Sequence, residues 1–128
     1  MNTREIEQCL AKVGRCAVLP IDYVKHKKTD NRPLGLVVNT DRSSCAGEHW
    51  VAIFLDGDGY GEYFDSFGLP PLRRGLIDFM NRNCSVGWCY NTTTLQEFDE
   101  TVCGNWCVEF LKSKFAGRGY KEFLLHGR

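Results

Sequence analysis

Two short apolar runs, the second leading into a tight turn, constrain this chain more than any other feature. Leu34-Gly35-Leu36-Val37-Val38-Asn39 is apolar almost throughout, without the alternation of a half-solvated strand. That character suits a strand buried on both faces. His49-Trp50-Val51-Ala52-Ile53-Phe54-Leu55 is strand-like again and leads into Asp56-Gly57-Asp58-Gly59. Asp-Gly pairs between apolar runs signal a tight hairpin, so Tyr60 to Phe64 is expected to return antiparallel. His49 then stands near the start of one strand and Asp65 near the end of its neighbour, side by side. An imidazole and a carboxylate meet although 16 residues separate them.

Around this hairpin the pattern is mixed. Ile6, Cys9, Leu10 and Val13 form an apolar stripe on a first helix, with Thr3 as its cap, Gly14 as its C-cap and Cys9 packed inward. Cys16 to Leu19 reads as a short extended piece, and the basic, proline-terminated stretch 25–33 as a surface loop. Ser66 to Pro71 reads as a turn. Leu72, Leu76, Ile77, Phe79 and Met80 suggest a second helix, Trp88 to Leu95 a further strand, and residues 120–125 a short terminal element. The expectation is a single α+β domain over residues 1–128, with a central, mostly antiparallel sheet and no internal repeat or linker.

Formal charge is zero at pH 7, with 16 basic and 16 acidic residues. Bulk attraction to nucleic acid or an anionic membrane is therefore not indicated. The clusters Lys25-His26-Lys27-Lys28 and Arg73-Arg74 read as solvated surface. No stretch approaches the roughly 18 apolar residues of a membrane span, and Met1 to Arg15 has no apolar signal core. An intracellular or virion-internal address is expected, rather than secretion. On that expectation the glycosylation sequon Asn91-Thr92-Thr93 is discounted and most of the seven cysteines are free.

The chemistry concentrates between Leu95 and Phe115. Val102, Trp106, Cys107, Phe110, Leu111 and Phe115 mark one face of a helix that would end near Gly117 or Gly119. Cys103 falls at its start, where the helix dipole favours thiolate over thiol. A cysteine hydrolase needs a thiolate, a base, a group that orients the base, and oxyanion donors. Cys103, His49, Asp65 and Gln96 fill those four roles, and the backbone N–H of Cys103 is a natural second oxyanion donor. Each residue alone has an ordinary structural explanation; the set is what carries meaning.

The ordered set resembles the adenovirus endopeptidase (adenain) family. Gly47-Glu48-His49-Trp50, then Tyr63-Phe64-Asp65-Ser66-Phe67-Gly68, then Gln96 followed seven positions later by Cys103-Gly104, match its pattern. More widely, the set is similar to the ubiquitin-like-protein proteases, which share the order His, Asp or Glu, Gln, Cys. The resemblance implies an α+β fold with the nucleophile helix packed on a central sheet. It also implies cleavage of viral precursor proteins at glycine-containing sites, with Trp50, Gly47 and Glu48 beside the substrate. Asp65 replaces the glutamate of adenain, as in related proteases. By the same resemblance, a disulfide-linked viral peptide and DNA are candidate activators, with Cys84 or Cys89 as the attachment thiol.

Two other readings stay open. The same residues would serve a protease that removes a ubiquitin-like modifier. Alternatively, Cys84, Cys89, Cys103 and Cys107 could form a zinc-binding module, although their spacing departs from the usual tight knuckles.

Overall fold

The structure, a computed structural model, describes residues 1–24, 26–40, 49–94 and 103–118; of Cys103 it describes the backbone. Among the described residues five strands form one sheet: β1 (Cys16–Pro20), β2 (Leu34–Asn39), β3 (Trp50–Leu55), β4 (Tyr60–Phe64) and β5 (Gly87–Tyr90), in the spatial order of the chain. The α-helices α1 (Thr3–Leu10), α2 (Arg74–Asn83) and α3 (Cys103–Phe115), with a short 3-10 turn at Ile21–Tyr23, complete the α+β arrangement of the described residues.

Alternation along β3 divides the core into two layers. Trp50, Ala52 and Phe54 face a cluster with Ile6 and Leu10 of α1 and Cys107, Phe110 and Leu111 of α3. Val51, Ile53 and Leu55 face the opposite cluster, with Leu76, Phe79 and Met80 of α2. Every residue of β3 is buried, because each of its two sets of alternate side chains meets a helix layer. The uninterrupted apolar runs are thus explained by a sheet covered on both sides.

The sheet is mixed, not mostly antiparallel. β2–β3 and β3–β4 are antiparallel, whereas β1–β2 and β4–β5 are parallel. A hairpin reverses direction in a few residues, but a strand–helix–strand crossover returns in the same direction. α2 makes β4–β5 such a crossover.

Several boundaries also differ from the pattern. Asn2, not Thr3, caps α1, in a reciprocal capping box with Glu5 at 2.9 Å in each direction. The helix ends at Leu10, and Cys9 is exposed, since two turns bury only the narrow Ile6–Leu10 stripe. Gly14 is no C-cap; a Cβ there would meet the Phe115 ring at 2.5 Å, so glycine permits that close packing. Leu72 lies before α2 and is 74% exposed. β5 stops at Tyr90, short of Leu95. The terminal element at 120–125 lies outside the described residues.

The 26–33 loop is tied down more firmly than its composition suggests. Buried Asn83 donates from Nδ2 to the Lys27 carbonyl at 3.0 Å and accepts the Thr29 N–H at 2.9 Å. Arg32 donates to the carbonyls of Asp56, Asn83 and Tyr60, which joins the loop to the hairpin turn and the end of α2.

Candidate active site

The β3–β4 register explains why His49 meets Asp65. Ala52 pairs with Phe64, so one further step puts Asp65 opposite Val51, two residues from His49. Such diagonal neighbours share a face and lie within side-chain reach. His49 Nε2 stands 3.2 Å from Asp65 Oδ2, and the two side chains are 16% and 6% exposed. The other carboxylate oxygen, Oδ1, accepts the Phe67 N–H at 2.8 Å. This turn closes with Gly68 N–H donating to the Asp65 carbonyl at 2.8 Å. Phe67 in turn stacks on the His49 ring, with centroids 5.2 Å apart and planes inclined by 24°. The imidazole is therefore held by a carboxylate and an aromatic face carried on one turn.

A cavity of about 180 Å³ opens on the α2 side of this pair, lined by Thr40, His49, Tyr63, Asp65, Phe67 and Leu69, among others. Leu69 is 45% exposed, which gives the cavity mouth an apolar lip. Burial, then the Asp65 charge and Cys107, push the Tyr63 phenol well above its ordinary value. Tyr63 therefore stays a neutral phenol beside the carboxylate.

Cys103 is the first residue of α3, the position expected for a thiol under the helix dipole. Lys112 and Lys114 complement the opposite end of that helix. The helix start approaches the β3 start through Met1. Trp50 Nε1 donates to the Met1 carbonyl at 3.2 Å, and a Cβ on Gly104 would stand 3.3 Å from the Met1 Cβ. Thus the residues following His49 and Cys103 converge on one neighbour. Trp50 itself is only 5% exposed and belongs to the α3-side core. Gln96, Gly47 and Glu48 lie outside the described residues.

The remaining thiols occupy distinct environments. Cys84 is buried on the α2 side and Cys107 on the α3 side of the sheet. That separation removes the four-thiol zinc arrangement, because a tetrahedral ion needs its ligands within about 2.3 Å. As an attachment point for a peptide, Cys84 is unsuited by its burial, whereas Cys89 on β5 is exposed. Desolvation raises both thiols above their ordinary value, although Cys89 keeps an exposed surface; Glu62 raises Cys89 further, and Arg32 partly opposes the shift at Cys84. Half-buried Cys16 is pushed from 9.0 to about 11.

These shifts fix a sign. A folded thiol that keeps its proton longer than the unfolded one supports the fold fully below pH 9.0, and that support is lost as pH rises toward about 11. The same shift keeps Cys16, Cys84 and Cys89 protonated at neutral pH, so they should alkylate slowly. Iodoacetamide labelling at pH 7, read by peptide mass spectrometry, is expected to mark Cys103 before these three.

No family model matches the chain. The SUMO-1 cysteine protease of African swine fever virus is 29% identical over 116 residues, covering 81% of this chain and 42% of that protein. The chain thus spans less than half the length of the curated relatives it matches first. A crystal structure of the same viral protease superposes with a TM-score of 0.68 at 20% identity, over 96% of this chain and 60% of that one. The SUMO protease Ulp1 superposes with a TM-score of 0.61 at 13% identity, over 99% of this chain and 73% of that one. The fold is that of the ubiquitin-like-protein proteases. The similarity reaches viral cysteine proteases within that superfamily; the adenovirus enzyme in particular stays a likeness of motifs. Within the ubiquitin-like-protein protease fold, the His49–Asp65 pair occupies the end of the central hairpin, and α3 packs on the strand that follows His49.

Proposed function

We propose that this chain is a cysteine peptidase that cleaves polypeptides at glycine. The observation that carries the peptidase reading is the His49–Asp65 pair, held at 3.2 Å beyond the end of a strand on which the Cys103 helix is packed; the preference for glycine rests on the resemblance of motifs. In the proposed reaction Asp65 occupies Nε2 of the ring, so proton exchange with Cys103 falls to Nδ1. The Cys103 thiolate attacks the scissile carbonyl and the carbonyl π electrons move to oxygen. Gln96 and the Cys103 N–H donate to that oxyanion, each donor being worth about 2.7–4 kcal/mol. The imidazolium then protonates the leaving amine as the C–N bond breaks. Water, activated by His49, hydrolyses the thioester and restores the thiol. Gly47 and Glu48 are assigned to the substrate side by motif. Trp50 anchors the strand start that carries His49.

Two substrate classes fit a glycine-selective site. The fold shared with Ulp1, and the SUMO-1 protease named among the relatives, favour removal of a ubiquitin-like modifier. The viral origin of those relatives supports the second reading, processing of viral precursor proteins. A modifier fusion ending in glycine and a library of glycine-containing peptides separate them. Both are assayed with and without DNA and a cysteine-bearing viral peptide. Cleavage after glycine is expected, confined to the fusion if recognition lies in a folded modifier. Failure on both substrates under every condition overturns the proposal.

A further inference from the structure

Asn91 follows β5 and was legible in sequence only as part of a sequon. Its side chain makes two hydrogen bonds to the main chain of Asp65. Oδ1 accepts the Asp65 N–H at 2.9 Å, and Nδ2 donates to the Asp65 carbonyl at 2.6 Å. The β4–β5 ladder ends at Tyr63 opposite Tyr90. The amide therefore continues strand pairing with a side chain, onto a residue outside both strands. Nδ2 also donates to the Thr93 carbonyl at 3.2 Å, which engages both amide hydrogens.

One further hydrogen bond and one close approach join the same segments. Thr94 Oγ1 donates to the Phe67 carbonyl at 2.9 Å. Gly68, at φ 75°, lies so close that a Cβ would stand 3.0 Å from the Thr92 carbonyl oxygen. The 65–68 turn carries two groups that hold His49, the Asp65 carboxylate and the Phe67 ring. Residues 91–94 hydrogen-bond to that turn at Asp65 and Phe67, and the chain then runs on through Leu95 to Gln96.

We propose that Asn91 is a positioning residue, whose amide clamp on the Asp65 main chain aims the Asp65 carboxylate at His49. Its catalytic consequence rests on the peptidase reading above; its effect on the imidazole does not. Loosening the clamp lets the carboxylate drift, which weakens its support of the imidazolium. The imidazole should then give up its proton at lower pH, because a nearby anion favours the charged ring.

The test uses the full chain with Asn91→Ala, and Asn91→Ser, whose single hydroxyl cannot span both backbone groups, should the alanine variant not fold. The expected result is a His49 titration, followed by NMR of the ring, displaced to lower pH. kcat should fall about tenfold with KM little changed, as for a small misplacement of a catalytic group. The double variant Asp65→Ala/Asn91→Ala should be no slower than Asp65→Ala alone, since Asn91 acts through Asp65. A variant with lowered thermal stability but an unmoved His49 titration overturns the proposal, as does an additive double variant. If the titration moves while Cys103→Ala proves as active as the parent, the clamp stands and the peptidase reading falls.

Discussion

Cys103→Ala is expected to abolish cleavage of a glycine-containing substrate, a loss of about a thousandfold or more, because removal of a nucleophile leaves only binding and oxyanion stabilisation. Cys107→Ala is the matched control. Cys107 lies one turn further along α3, is fully buried and packs in the α3-side core. Its truncation removes one core atom, at a cost of about 1 kcal/mol of stability, and should leave turnover intact. The measurements are initial rates and thermal melts of both variants. Full activity in Cys103→Ala, or an inactive but folded Cys107→Ala, would reverse the assignment of nucleophile and core thiol.

Phe110→Ala is expected to have the largest effect on stability. Phe110 is 2% exposed and stacks on Phe64 of β4, with centroids 4.7 Å apart and planes inclined by only 8°. The pair fastens α3 to the sheet, and a truncated ring leaves a cavity between two rigid elements. Such truncations cost about 3–5 kcal/mol, against a total of about 5–15 kcal/mol for a domain. Urea denaturation should show this loss as a lower midpoint. Activity should fall both because fewer molecules are folded and because α3, which carries Cys103, is held less firmly on the sheet. A loss below about 1 kcal/mol would mean that α3 is held elsewhere, for example by the Lys114–Glu62 ion pair.

The hairpin and its His49–Asp65 pair were legible because two local signals agree. The Asp-Gly turn sets the register, and the apolar runs on either side allow little slippage. Cys103 at a helix start was legible from the spacing of Trp106, Phe110 and Leu111. The antiparallel hairpin direction was legible, but the parallel β1–β2 and β4–β5 pairings were not, although a helix between β4 and β5 is itself a signal for a parallel crossover. Trp50 could be core or cleft wall, since an indole satisfies either description; its burial shows the core role. Asn91 was missed for another reason. Its partner is 26 residues away, and nothing local distinguishes an asparagine that clamps a distant backbone from one that simply turns the chain. Gln96 is supported by motif order, outside the described residues.

The spatial order of the strands repeats their order in the chain, and this bears on how the site assembles. Neighbouring strands need no long-range threading, so the β3–β4 hairpin can close early, bringing His49 and Asp65 together with little loop entropy lost. α3 comes from the far end of the described chain and packs on β3 of that sheet. The base and its carboxylate thus belong to a local folding unit, while the thiol joins it through a distant contact. Conditions that loosen α3 docking alone would leave a folded hairpin whose imidazole is still paired and whose nucleophile is displaced.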